Sequence, residues 1–475
     1  MRKTKIICTL GPATNTVEKI EELIDAGMNL ARLNFSHGTH ESHRDLADKL
    51  KRAREAKNVP VALVLDTKGP EIRVKKFENG TIELEKDQKF TLTTRDIVGD
   101  NTIVAVNYEG LPRDLQVGNR VLVDDGLIEL IVESIEGEDI HCVVKNSATL
   151  KDNKGVNTPD NKVTLPSLTE KDKEDIVFGI KEGFDFIAAS FIRSKADVNQ
   201  IRKVLRDNGG DHLMIIAKIE NREGVNNLDE ILEVADGIMV ARGDLGVEIS
   251  AEEVPLVQKS MIRKSNAIGK PVVTATQMLE SMIVNPRPTR AEVSDVANAI
   301  FDGTDAIMLS GESANGAYPI EAVSTMSRIA EAAEVSIDYY KELKHRAKDM
   351  KSTVTDAISY AASAITSEVG AVSILTVTNL GFTARMLSKR RPYVPIVALT
   401  DKDYVQKQMN LSWGVVPVLV DNITNRKEVF AEAVDEAAKR DLVKNGDTIV
   451  IVAGMPLGKT GATNNIRVHE VGQSI

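Results

Sequence analysis

The chain is expected to be an α/β protein built on a (β/α)8 TIM barrel, interrupted by a small β-barrel lid domain and followed by a doubly wound α/β domain. Three observations carry this expectation. Eight short apolar runs alternate with helix-length segments, one interval between them is far longer than the rest and changes period, and a second alternating series begins after the eighth run. At about 150 residues per domain, 475 residues suit three domains with sizeable cores.

Thr4–Thr9 reads as the first buried strand. A helix over Val17–Ala26 follows, with Asn15 and Glu18 at capping-box spacing and Gly27 as its stop. Further strands are expected at Leu30–Phe35, Val61–Asp66, Phe186–Phe191, Leu213–Ile219, Ile238–Arg242, Val272–Thr276 and Ala306–Ser310. The long interval separates the third from the fourth. Within it Thr81–Glu85, Phe90–Thr94, Val121–Val123, Ile128–Val132 and His141–Val144 alternate with period two, around turns such as Asp125-Gly126. This insertion falls at the C-terminal end of a barrel strand, the catalytic face of such barrels, where it can close over a ligand. After Ser310 a helical stretch and the basic segment His345–Ser352 lead to the third domain. There a helix over Thr355–Glu368 and strands Ser373–Thr378, Ile396–Thr400, Val415–Val418 and Thr448–Ala453 suggest a parallel sheet wound on both faces. The expected boundaries are 1–69 and 167–343 for the barrel, 70–166 for the insertion and 344–475 for the last domain.

Composition narrows the function. Sixty Lys and Arg against seventy Asp and Glu give a net charge of −10, which argues against nucleic acid or anionic lipid as the main partner. Two cysteines, Cys8 and Cys142, make no disulfide framework and fit a reducing cytoplasm. Met-Arg-Lys-Thr-Lys resembles the start of a signal peptide, but the apolar stretch Ile6–Leu10 falls short of the roughly 7 residues such a signal needs. No run approaches the roughly 18 apolar residues of a membrane span.

Polar residues crowd the ends of strands that should otherwise be apolar. Arg32, Asn34, Ser36 and His37 end the second, and Asp66, Thr67, Lys68, Glu71 and Arg73 the third. Lys218, Glu220 and Asn221 end the fifth, Arg242, Gly243 and Asp244 the sixth, and Thr274, Thr276 and Gln277 the seventh. Lys218 and Glu220, two apart, project from one side of a strand. With Asp244 they join two carboxylates to one ammonium, a set that suits a hard cation such as Mg²⁺ rather than zinc. The alternative is a buried Lys–Glu pair serving stability alone, with Asp244 capping a helix. Arg32, Arg73, Lys154 and Lys218 are candidate anion binders. Two like unit charges at 4 Å repel by about 4 kcal/mol at an effective dielectric of 20. Phosphoryl transfer between two anions therefore needs local cations. Asn34, Ser36, Asp66 and Thr67 could hold a monovalent cation or form a network of turn hydrogen bonds. Thr289 and Glu292 are spaced as a capping box, leaving Arg287 and Arg290 unexplained. Gly454-Met-Pro-Leu-Gly458-Lys459-Thr460 has one residue too few between its glycines for a Walker loop, and no dinucleotide fingerprint is present. Thr378-Asn379-Leu-Gly381-Phe-Thr383 follows a strand and opens a helix, as a phosphate-binding turn would, although Thr, Asn and Gly are equally the residues of an ordinary turn.

Lys5–Pro12, Arg32–Gly38, Asp66–Arg73, Lys154–Asn157, Lys218–Asn221, Ala241–Gly246 and Met308–Glu312, taken in order along the chain, resemble the pyruvate kinase family. The likeness is to its minimal three-domain members, without the N-terminal extension of many animal forms or the extra C-terminal domain of some bacterial ones. The resemblance implies transfer of the phosphoryl group of phosphoenolpyruvate to ADP, giving pyruvate and ATP in the last step of glycolysis. It implies Glu220 and Asp244 as Mg²⁺ ligands and Lys218 as the group stabilising the phosphoryl group and the enolate. Gly243, Asp244 and Thr276 would hold the substrate carboxylate, and Arg32 would contact the phosphoryl group. Asn34 to His37 (Ser36 included), Arg73 and Lys154 would face the nucleotide. Asn34, Ser36, Asp66 and Thr67 match K⁺ ligands, and Glu71 is the residue type of K⁺-dependent members. Water or hydroxyls near Thr276 and Ser310 are candidates to protonate the enolate. The family implies a cytoplasmic homotetramer with a phosphorylated allosteric effector held by Thr378, Asn379, Gly381 and Thr383. Leu380 and Phe382 point away from fructose 1,6-bisphosphate, toward a sugar monophosphate or nucleotide. Two other readings compete: a Mg²⁺-dependent lyase or aldolase in the same barrel, and a non-catalytic phosphometabolite sensor.

Overall fold

The computed structural model describes residues 1–349, 353–421, 429–455 and 463–474. Eight parallel strands, Lys5–Thr9, Leu30–Asn34, Ala62–Asp66, Phe186–Ala189, Met214–Ile219, Gly237–Ala241, Val272–Ala275 and Ala306–Leu309, close into a barrel. Closure is made by the first strand, where Ile7 lies opposite Leu30 on one side and Met308 on the other. Each expected strand is present, some a residue or two shorter. The fourth stops at Ala189 because Phe191 takes a positive φ of 56° that breaks the extended backbone.

Alternation sorts the strand residues into two cores. Ile7, Leu30, Val64, Phe186, Ile216, Met239, Val273 and Met308 fill the barrel. Their neighbours Ile6, Ala31, Leu63, Ile187, Ile215, Ile238, Val272 and Ile307 face the surrounding helices. The first long helix runs over Val17–Ala26 as expected, but its cap is Thr16 rather than Asn15. The Thr16 hydroxyl accepts from the Lys19 amide at 3.2 Å, while Asn15 ends a short turn of 3₁₀ helix over Pro12–Thr14. Thr289 and Glu292 do form their capping box.

The insertion carries strands Thr81–Leu84, Lys89–Thr93, Ile103–Ala105, Arg120–Val123, Ile128–Glu136, Asp139–Val144, Ala148–Lys151 and Val156–Asn157. Six form one sheet, edged by Val156–Asn157 and Ile103–Ala105. Arg73 pairs with Gly155 beside one edge and Val74 with Val106 beside the other, so the incoming chain draws the sheet into a small barrel around Phe77, Phe90, Leu92 and Leu130. The strands at 103–105, 148–151 and 156–157 are not among those expected; each is defined by its pairing, with 89–93, 81–84 and 120–123 respectively.

In the last domain Ser373–Val377, Ile396–Thr400, Val415–Leu419 and Thr448–Gly454 are parallel, and Thr463–Glu470 adds an antiparallel edge. Separate cores cover the two faces, one containing Leu375 and Val397, the other Ile374 and Ile396. This is the doubly wound arrangement. Of the Walker-like segment and the basic segment, positions 456–460 and 350–352 lie outside the described residues. Among the described residues no helix is long and apolar enough to cross a membrane. Both cysteines are free and buried.

The last domain docks on the end of the barrel opposite the catalytic face. Leu411 enters the interior barrel core, Gln408 Nε2 donates to the His212 carbonyl at 2.6 Å, and Arg391 pairs with Asp305 at 2.9 Å. Lys5 reaches out from the first strand to the Val415 carbonyl at 2.6 Å. Burial, reinforced by Arg2, pulls the Lys5 ammonium down to about 7 against the influence of Glu334. The folded chain thus binds fewer protons at Lys5 than the unfolded chain between pH 7 and the ordinary lysine range. The cost is largest below pH 7 and vanishes as pH rises through that range; at full size it is on the order of 5 kcal/mol. The hydrogen bond to Val415 returns only about 1 kcal/mol. Lys5→Met is therefore expected to raise Tm at pH 6.5 and to lose that gain by pH 10, as calorimetry at the two pH values would read.

Candidate active site

The parity that fills the barrel with apolar side chains also builds its mouth. Continuing each inward series toward the C-terminal end gives Thr9 after Ile7, Arg32 and Asn34 after Leu30, Asp66 after Val64, Ser190 after Ala188, Lys218 and Glu220 after Ile216, and Ser310 after Met308. A ring of polar groups thus tops an apolar plug.

Lys218 is the hub. Its Nζ lies 3.0 Å from Asp66 Oδ1, 3.0 Å from Glu220 Oε1 and 2.7 Å from Ser190 Oγ. Arg32 Nε meets the other Asp66 oxygen at 2.5 Å and its Nη1 donates to Thr9 Oγ1 at 2.9 Å. Burial alone would lower the Lys218 ammonium, but Asp66, Glu220 and Asp244 outweigh it and hold it above the usual lysine range. Asp66 is held below the carboxylate range: Arg32 and Lys218 together overcome its burial. Glu220 and Asp244 go the other way. Burial pushes both up against the pull of Lys218, and Asp244 adds to the rise at Glu220. Asp125 and Glu71 push Asp244 further. One ammonium shared with Asp66 does not balance this pair, and an excess of buried negative charge is what a divalent cation corrects. The donors are all oxygen, and no group of three or more His, Cys, Asp or Glu side chains able to hold an ion occurs among the described residues. Two carboxylates completed by water and substrate oxygens are the way Mg²⁺ is commonly held. The residues present fit that ion.

Asn34, Ser36, Asp66 and Thr67 lie at or just beyond the ends of the second and third strands, and several of their polar atoms are already engaged. Asn34 and Asp66 are opposite each other across the second and third strands. Asn34 Oδ1 accepts from the Ser36 amide at 3.1 Å. Thr67 accepts from Ser190 at both its hydroxyl and its carbonyl, at 3.1 and 2.7 Å. His37 is exposed and its carbonyl accepts from His43 Nε2 at 2.9 Å. At the sixth strand the Gly243 amide, in the first turn of the helix Arg242–Glu248, donates to Thr276 Oγ1 at 2.7 Å. Ser310 precedes the turn Gly311–Ala314, its amide bound to Glu312 Oε2 at 2.8 Å.

The insertion overhangs this mouth. A cavity of about 230 Å³ lies between the two, lined by Arg73, Asp124, Lys154, Asn157, Arg222, Asp244 and Glu248 among others. Lys154 pairs with Asp124 at 2.7 Å, Arg73 with Glu71 at 2.7 Å, and Asn157 Nδ2 donates to Glu248 at 2.8 Å. Sequence reasoning missed Ser190, Asn157, Glu248 and Arg222. Ser190 was within reach, since it continues the inward series Phe186, Ala188. The others depend on how the insertion folds back. In the last domain Gly381 takes φ 73° and caps the helix Phe382–Ser388, and Thr383 is buried with its hydroxyl 2.9 Å from that of Thr463. Thr378 is also buried, and Asn379 is half-buried.

Fold and site together define a barrel enzyme of the phosphotransferase class. The family description "Pyruvate kinase, barrel domain" matches residues 1–323, and "Pyruvate kinase, alpha/beta domain" matches residues 356–469. The chain belongs to the pyruvate kinase family. It is 51% identical over 472 residues to the pyruvate kinase of Clostridium acetobutylicum, covering 99% of this chain and all of that one. It is also 51% identical to that of Geobacillus stearothermophilus, covering 99% of this chain and 80% of that one. A crystal structure of a pyruvate kinase from Cryptosporidium parvum superposes with a TM-score of 0.95 at 43% identity, covering 99% of this chain and 96% of that one.

Proposed function

We propose that the chain transfers the phosphoryl group of phosphoenolpyruvate to ADP, giving pyruvate and ATP, in a Mg²⁺- and K⁺-dependent reaction that is the last step of glycolysis in the cytoplasm. The single observation that carries this reading is the Lys218 ammonium, held at 3.0 Å from both Asp66 and Glu220 beneath a lid that brings Arg73 and Lys154 to the same mouth.

Glu220 and Asp244 would hold Mg²⁺, which when bound supplies charge neutralisation for the phosphoryl oxygens and the enolate oxygen. Arg32 contacts the phosphoryl group, and Lys218 stays protonated and follows the charge from that group to the enolate. Catalysis is then mostly placement and charge compensation. The Gly243 and Asp244 amides and Thr276 orient the substrate carboxylate, which requires the Thr276–Gly243 hydrogen bond to yield to substrate. Protonation of the enolate falls to water or hydroxyls near Thr276 and Ser310. Asn34 to His37, Arg73 and Lys154 receive the nucleotide, with the insertion as lid. Asn34, Ser36, Asp66 and Thr67 hold K⁺. The domains divide as 1–69 with 167–343, 70–166 and 344–475, in a homotetramer that takes a phosphorylated effector at Thr378, Asn379, Gly381 and Thr383.

A coupled assay for pyruvate from phosphoenolpyruvate and ADP tests the reaction, and ATP formation separates it from a lyase or aldolase in the same barrel. Without K⁺ or other monovalent substitutes, activity is expected to fall at least tenfold; undiminished turnover there would remove the K⁺ assignment and leave the rest standing.

A further inference from the structure

The seventh strand breaks its own parity at the point where the site needs it. Val273 and Ala275 face the barrel interior and Val272 the helices, so an extended backbone would turn Thr276 outward beside Thr274, whose hydroxyl donates outside the barrel to Thr304 at 3.0 Å. Instead Thr276 takes φ 68° and Gln277 φ 53°. A left-handed β-branched residue is a genuine outlier, kept only where surrounding contacts over-determine it. The result is that the Thr276 hydroxyl meets the Gly243 amide at 2.7 Å, on the catalytic face.

The Thr276 hydroxyl also donates to the Ala275 carbonyl at 2.6 Å, and the remaining contacts on this backbone come from one guanidinium. Arg242 Nη2 donates to the Thr276 carbonyl at 2.7 Å and its Nε to the Ala275 carbonyl at 3.3 Å. Its Nη1 is fixed by Asp295 Oδ1, on the helix Arg290–Asp302, at 2.6 Å. The Arg242 side chain is only 9% exposed, so its fork has little freedom to turn elsewhere. We infer that Asp295 is a positioning residue for the reaction: through Arg242 it holds the left-handed turn that brings the Thr276 hydroxyl inward to the substrate. Asp295 itself touches no reacting atom. The inference rests on the proposed place of Thr276 in the site.

The test is a double-mutant cycle on the full chain with phosphoenolpyruvate and ADP. Asp295→Asn keeps the shape and removes the charge that orients Arg242. It is expected to lower kcat about tenfold, to change KM for ADP less than twofold, and to leave Tm within a degree or two. In a Thr276→Ala background the same change is expected to do nothing further, because the group it positions is gone. Asp295→Glu, which keeps the charge, is expected to recover most of the loss. Equal loss from Asp295→Asn with and without Thr276, or full activity of Asp295→Asn, would overturn the inference. A Thr276→Ala variant with wild-type kinetics would instead overturn the reading it rests on. Should Asp295→Asn fold poorly, Arg242→Lys in the same two backgrounds reads the same coupling, since lysine cannot span both carbonyls and the carboxylate.

Discussion

Lys218→Met is expected to abolish phosphoryl transfer to within background, a loss of about a thousandfold or more in kcat, with ADP affinity changed less than threefold. The ammonium is buried among Asp66, Glu220 and Ser190, and the cation beside it, Arg32, is already held by Asp66 and Thr9. Losses of about 10³ to 10⁵ accompany removal of a cation that tracks charge in such a transfer. Methionine also leaves two buried carboxylates less compensated, a change that costs about 3–5 kcal/mol where a buried pair is broken. Melting should therefore be measured with Mg²⁺ present, and steady-state turnover only below the melting range. A folded Lys218→Met enzyme that still made pyruvate at a tenth of the wild-type rate would end the role assigned to this residue.

Glu220→Gln is expected to do comparable damage by a different route, and its signature is in the metal titration. The amide keeps one oxygen for the Phe191 amide, now 2.6 Å from Glu220 Oε2, so the local fold has a way to persist. What is lost is one of two carboxylates proposed for Mg²⁺. The Mg²⁺ concentration for half-maximal activity should rise at least tenfold and kcat should fall by about a hundredfold or more. pH gives an independent check. Burial raises the carboxyl groups of Glu220 and Asp244, so a proton competes with the metal at the acidic end. The Mg²⁺ requirement of the wild-type enzyme should fall as pH rises from 6 to 8, and this slope should flatten in Glu220→Gln. A slope identical in both proteins would remove Glu220 from the metal site.

The chemistry-bearing residues were legible because a barrel strand is a strict alternation and its catalytic end is known from chain direction. Lys218 and Glu220 two apart, Arg32 and Asn34 two apart, and Asp66 closing its strand are local facts of residue type and spacing. So was the insertion, since a change from helical periods to period two needs no partner to be seen. The capping of the first helix was misplaced by one residue because Asn15 and Thr16 are both competent caps, and the preceding turn over Pro12–Thr14 decides between them. Ser190 was passed over although the inward series pointed to it.

What the chain dictates by itself is therefore the class of fold, the order of its parts and the identity of the groups at the barrel mouth. Each follows from periodicity and side-chain chemistry within short stretches. Tertiary structure alone decides which of those groups meet. Ile7 finds Met308 at the barrel seam, Arg73 and Val74 draw the inserted sheet shut, Leu411 seals the far end, and Thr276 is turned inward by Arg242 and Asp295. All four join residues or strands far apart along the chain, and the last holds a backbone conformation that threonine would not adopt alone; no local pattern records either.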